Sequence, residues 1–172
     1  GASKIYGIRQ KIEGSNIVDF CLGNTNSKYM TLSFWVQSSI SGLHGGIIFN
    51  GDATRSYPFT YTINSANTYE FKTVTIPCDS TGTWAKDAGI GLQIMFSFGS
   101  GSSFIGSPFG WAGGAVYGVT GQTNLIATNG STFYLTGVQL ELGTVSTPFE
   151  ILPMSTGLEL CQRYYEKSYD QG

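Results

Sequence analysis

Between residues 29 and 40 the chain reads YMTLSFWVQSSI, with an apolar side chain at every second position. Met30, Leu32, Phe34 and Val36 fall on one side, and Thr31, Ser33, Trp35 and Gln37 on the other. A period of two marks a strand with one buried face. YPFTYTIN (57–64) sets Phe59, Tyr61 and Ile63 against Thr60 and Thr62. NTYEFKTVTIP (67–77) places Tyr69, Phe71, Thr73 and Thr75 opposite Glu70, Lys72, Val74 and Ile76, and Pro77 ends the ladder. GGIIFNGD (45–52) carries Ile47 and Phe49 on one face, and STFYLTGVQLELG (131–143) closes the set. IGLQIMFSFG (90–99) is apolar at almost every position, as in a central strand covered on both sides. Gly, Asn and Asp turns separate these runs.

A helical period shows only at the end. STGLELCQRYYEKSY spaces Leu158, Cys161, Tyr165 and Tyr169 along one helical side, and Thr156 with Glu159 forms a capping-box pattern. A short helix is expected there; a strand from Tyr164 onward is the alternative. Many short strands and few helices predict an all-β fold, a jelly-roll β-sandwich with a short C-terminal helical or extended tail. Residues 1–9 read as a linker or cloning remnant, 10–153 as the sandwich, and 154–172 as a tail leading to a further domain or an oligomer contact.

A chain of 172 residues is long enough to close one core without disulfides or metal. Only 12% of residues are charged and the net charge is −2, with no run of Lys or Arg, so no nucleic acid partner is expected. No apolar run approaches the ~20 residues that cross a bilayer, and GASKIYGIRQ lacks the apolar stretch of a signal peptide, so no membrane insertion is expected. Cys21, Cys78 and Cys161 match no zinc or redox spacing and read as free thiols, pointing to folding in the cytoplasm.

The marks of an enzyme are missing. His44 lies in SGLHGG, which reads as an exposed Gly-flanked turn, and there is no nucleophile elbow, zinc motif or phosphate-cradling loop. Among the carboxylates, Glu70, Asp79, Asp87, Glu150, Glu159, Glu166 and Asp170 read as ordinary solvated charges, and Glu141 in QLELG is the one to watch. Glu13, Asp19 and Glu141 are conceivable calcium ligands but form no local cluster; neither metal nor cofactor is expected. What remains is the Gly/Ser-rich segment 100–124 with Phe104, Phe109, Trp111 and Tyr117, whose length suggests a functional loop. Trp and Tyr rings flanked by amides and hydroxyls suit the apolar C–H faces of sugars. Both Phe residues read better as core plugs, whereas Trp111 and Tyr117 are open to either role.

FYLTGVQLELGTVSTPFE (133–150) resembles the closing strand of a jelly-roll domain in tail fibre and tailspike proteins of tailed bacteriophages, and LELCQRYYEKSY (158–169) resembles the segment that follows it. The resemblance extends upstream through QKIEGSNIVDF (10–20), TLSFWVQSSISG (31–42), RSYPFTYTINSANTYEFKTVTIP (55–77), GTW (82–84) and TGQTN (120–124). It implies a non-enzymatic module similar to carbohydrate-binding modules, in the tail of a virion and within a homotrimeric fibre, that touches host cell-surface polysaccharide such as capsule or lipopolysaccharide. Such modules often carry Asp where this chain has TGV (136–138), so no calcium site is carried over. Trp111, Tyr117 and Trp84 are the leading carbohydrate contacts expected. The alternative is a structural spacer or trimer-packing module whose aromatics meet neighbouring subunits. A polysaccharide-degrading enzyme ranks third.

Overall fold

The computed structural model describes residues 1–26 and 28–164. Ten strands run in the order β1 (Ile5–Glu13), β2 (Tyr29–Ser38), β3 (Gly42–Asn50), β4 (Arg55–Ile63), β5 (Glu70–Pro77), β6 (Ile90–Ser100), β7 (Ile105–Gly106), β8 (Ala112–Gly113), β9 (Gly118–Val119) and β10 (Phe133–Leu142). Among the described residues one α-helix, α1 (Met154–Gln162), follows. The chain is an all-β sandwich of the jelly-roll type. A five-stranded antiparallel sheet ordered β1-β6-β3-β4-β8 faces a three-stranded antiparallel sheet ordered β10-β2-β5, and β7 and β9 form a small parallel pair. Successive strands therefore cross repeatedly between the sheets.

The period-two patterns decide which side chains meet in the middle. Met30, Leu32, Phe34 and Val36 of β2 are fully buried, as are Phe59 and Ile63 of β4 and Leu92 of β6. Phe34 packs edge-on against both Tyr61 and Phe96 with ring centroids 5.0 Å apart, joining the two sheets. Each such side chain contributes about 1.5–3 kcal/mol through removal from water.

The five-stranded sheet is apolar on its outer side as well, where Ile47, Phe49 and Met95 form a second small cluster with Tyr117 packed against it. This explains the near-continuous apolar run of β6 and the fate of segment 100–124. That segment is a cover: β7 and β9 lie over the outer cluster, Ser97 Oγ donates to the Tyr117 carbonyl at 2.8 Å, and Val119 is buried.

Three sequence expectations are corrected here. Residues 1–9 are not simply a linker, because Ile5–Glu13 is a strand paired with β6 along its whole length. His44 is 1% exposed and belongs to β3. The flanking glycines serve close packing instead of a turn: a Cβ on Gly46 would enter the Phe59 ring, and one on Gly45 would meet Val119 and Gln122. Asp79 is no solvated charge; it is buried and takes a bidentate pair from Arg55 at 2.5 and 3.0 Å.

The tail departs from expectation too. Helix α1 begins at Met154 behind Pro153 with no side-chain cap, so Thr156 and Glu159 form no capping box. Leu158, on the apolar side of the expected helix, is 57% exposed, and among the described residues α1 buries none of its own. Tyr165 and Tyr169 lie outside the described residues. Arg163 and Tyr164 attach the tail to the end of β1, donating to the Glu13 carboxylate at 2.5 and 2.6 Å.

Candidate functional site: an exposed aromatic sheet face

The three aromatic contacts expected from sequence do not share a surface. Trp84 is 6% exposed and belongs to the main core, with its Nε1 donating to the Thr81 carbonyl at 3.0 Å; it cannot serve as a contact platform. Trp111 is half-buried, stands edge-on to Trp84 at 5.4 Å and lies 5.2 Å from Tyr57, and its Nε1 donates to the Pro77 carbonyl at 2.7 Å. It plugs one end of the sandwich. Tyr117 is wedged between Phe49 and Phe104 at 5.2 Å from each, on the opposite sheet's outer side. Of the two expected plugs, Phe104 packs on Tyr117 while Phe109 is exposed.

The exposed rings lie elsewhere, on the outer face of the three-stranded sheet. Side chains alternate across a strand, so burying Met30, Leu32, Phe34 and Val36 turns Trp35 and Gln37 outward. Trp35 pairs in register with Phe71 of β5 and with Thr136 of β10. Its ring centroid lies 5.4 Å from that of Phe71 with the planes inclined by 47°, and each residue is 45% exposed. Tyr134, opposite Gln37 and one step along β10, is half exposed, and Tyr69 lies just before β5 with similar exposure. Thr73 and Thr136 add exposed hydroxyls.

Backbone irregularity shapes this face. The β2–β10 register shifts between Thr136 and Gln139, where Gly137 sits at φ +58°. A Cβ placed on Gly137 would lie 3.4 Å from Trp35 Cδ1 and 3.9 Å from Phe149 Cδ2, so this bulge forms the floor between the two rings.

Residues 143–150 fold back over the other half of the face as a strap. Gln139 Nε2 donates to Thr147 Oγ1 at 3.2 Å and its Oε1 accepts from the Glu150 amide at 2.8 Å. The Glu141 carboxylate accepts from both the amide and the hydroxyl of Thr147. Hydrogen bonds from Gln139 and Thr147 hold Glu141 below the usual carboxylate range. Glu141, singled out as a possible catalytic acid, is thus a strap anchor.

A second carboxylate fixes the opposite border. Glu70 accepts from Lys72 Nζ at 2.6 Å and from the amides of Asn64 and Ser65 at 2.8 Å, tying the β4–β5 crossing loop beside Phe71. Those bonds, Lys72 first, lower its pKa to about 2.

Among the described residues no group of three or more His, Cys, Asp or Glu is placed to hold a metal, and Glu13 and Glu141 are each committed to hydrogen bonds. No helix among the described residues is long and apolar enough to cross a membrane.

The signal for Trp35 was present in the sequence, since it stands on the polar side of β2; β5 gave none for Phe71, because its two charged residues, Glu70 and Lys72, share the side of Val74 and Ile76. Comparison with protein-family models, curated proteins and solved structures finds no match for this chain.

Proposed function

We propose that the chain is a non-enzymatic recognition domain of a phage tail fibre or tailspike, binding host cell-surface polysaccharide such as capsule or lipopolysaccharide. The observation that carries this reading is the exposed Trp35–Phe71 pair, with Tyr134 and surrounding amide and hydroxyl groups, on the half of the outer sheet face that the described residues leave uncovered. Aromatic faces take up the C–H sides of sugar rings, and fixed polar groups beside them orient the hydroxyls. The sequence resemblance to tail fibre modules supports the assignment to a virion tail and to a homotrimer.

Binding of the fluorescently labelled chain to intact bacteria and to their purified capsule and lipopolysaccharide tests it. The expected result is retention by at least one surface polysaccharide without release of reducing ends. Retention by none, or release of reducing ends, overturns the reading.

A second reading, a packing module of the fibre, draws on a different observation. Strands β1 and β10 are both sheet edges, and a cavity of about 150 Å³ opens between the sheets there, lined by Ile8, Ile94, Phe96, Leu135 and Val138 together with Arg9 and Gln10. Ile5, Tyr6 and Ile8 are exposed beside it. Sedimentation separates the two: a stable oligomer broken by Ile8→Lys, with no polysaccharide binding in either state, favours packing alone.

A further inference from the structure

The free half of the outer sheet face shows which glycan it suits, an inference that rests on the carbohydrate reading above. Its side chains follow from the strand registers: Trp35 and Gln37 from β2, Phe71 and Thr73 from β5, Tyr134 and Thr136 from β10. The strapped half adds Thr31, Ser33, Thr75, Gln139 and Glu141. None of these outward positions is Lys, Arg or His. The nearest cation in register, Lys72, falls on the alternate side of β5, opposite the buried Phe34, and its ammonium is already paired with Glu70 at 2.6 Å. Among these strand positions the one carboxylic acid is Glu141, which carries negative charge. A sugar bearing carboxylate, sulfate or phosphate would lose hydration there with no charge-assisted partner to replace it.

Ring geometry adds a second constraint. With planes inclined by 47°, Trp35 and Phe71 cannot both lie flat on one planar surface, as stacking against a crystalline sheet of chains would require. Two rings 5.4 Å apart at that tilt can each meet a different sugar of one twisting chain. The pair is aligned across the strands, from β5 to β2, with Thr136 continuing the row on β10. The strap at 143–150 borders the row on one side, and Tyr134 with Gln37 borders it on the other.

We infer that this face binds a single, uncharged glycan chain laid across β5, β2 and β10, with Trp35 and Phe71 each stacking on a sugar ring. Bonding to hydroxyls falls to Gln37, Thr73, Thr136 and the Tyr134 hydroxyl. Binding of this kind depends little on ionic strength, because no counterion is displaced.

The test is affinity electrophoresis and titration calorimetry of the full chain against neutral polymers (dextran, mannan, galactan and neutral O-polysaccharide) and acidic ones (dextran sulfate, alginate and an acidic capsule), at low and high salt. The expected result is salt-insensitive binding to at least one neutral polymer, weakened about tenfold or more by Trp35→Ala and by Phe71→Ala. Both side chains are half exposed, so the variants keep the core, and unchanged near-ultraviolet dichroism checks this. Salt-sensitive binding to acidic polymers alone, lost in Trp35→Ala, overturns the neutral-ligand inference while leaving carbohydrate recognition standing. Neutral-polymer binding that survives both substitutions overturns the site. Binding to none of the polymers overturns the carbohydrate reading and this inference with it.

Discussion

At the scale of single residues, two of the buried polar groups make testable claims on stability. Asp79 is 2% exposed, and besides the Arg55 pair it accepts from the amide and hydroxyl of Thr81 at 3.0 Å each. Asp79→Ala leaves the guanidinium and two further donors without their acceptor, so a loss of about 3 kcal/mol in urea unfolding is expected. An unchanged midpoint would show that the ion pair contributes nothing. His44 is the second. Its Nε2 lies 3.0 Å from the Ile40 carbonyl, which only accepts, so the ring holds its proton on Nε2; its Nδ1 has no partner among the described residues, and the ring stacks on buried Tyr61. Burial, partly opposed by the Ile40 carbonyl, holds its pKa below the ordinary 6.5. The unfolded chain therefore takes up the proton first as pH falls. Stability is fully present above pH 6.5 and is lost as pH drops from there toward the folded-state value. His44→Phe, which keeps ring packing but cannot titrate, is expected to flatten that part of the urea-midpoint profile. Glu70 acts in a lower window: its pairing is kept above pH 4.5 and lost as pH falls toward 2.

At the scale of elements, β2 and β5 were legible because a strand with one buried face writes its role into alternate letters. Which side of β5 turns inward did not follow from that alone, because Glu70 and Lys72 alternate with Phe71 onto the side of Val74 and Ile76, the side that is buried. What misled was context beyond the element. Tyr117 sits in a Gly/Ser-rich stretch that reads as an open loop, yet the five-stranded sheet has a second apolar side that this stretch must cover. The apolar run of β6 announced that second side without saying what would close it. Likewise His44 between glycines reads as a turn until Phe59 is seen occupying the space of the missing Cβ. The strap makes an element-scale prediction. Thr147→Val removes the hydroxyl bonds to Glu141 and Gln139 but keeps the β-branched shape. Because the strap is exposed and outside the core, global stability should fall by less than about 1 kcal/mol. Amide exchange at Thr147 and Glu150 should accelerate, while exchange in β2 stays slow. Equal acceleration in both would mean that the strap and sheet open together.

For the whole molecule, the two chain ends carry unequal weight. β1 supplies one edge of the five-stranded sheet, paired with β6 from Ile5 to Glu13, and Ile12 packs on the main core. Removing it would strip nine residues of ladder and uncover Ile94 and Phe96, which line the gap between the sheets. The tail is the reverse case: among the described residues α1 buries none of its own, and a nine-residue helix without packing is marginal in water. Its described side-chain anchors, Arg163 and Tyr164, meet Glu13, which keeps Ser15 as a partner when they are gone. Two truncations measure the difference. A chain ending at Pro153 is expected to unfold cooperatively within roughly 4 °C of the full chain, the shift that about 1 kcal/mol produces in a protein of this size. A chain beginning at Ser15 is expected to lose its cooperative thermal transition and to bind a hydrophobic dye through the uncovered β6. Should the second truncation melt like the first, β1 is an appended strand and the sandwich closes without it.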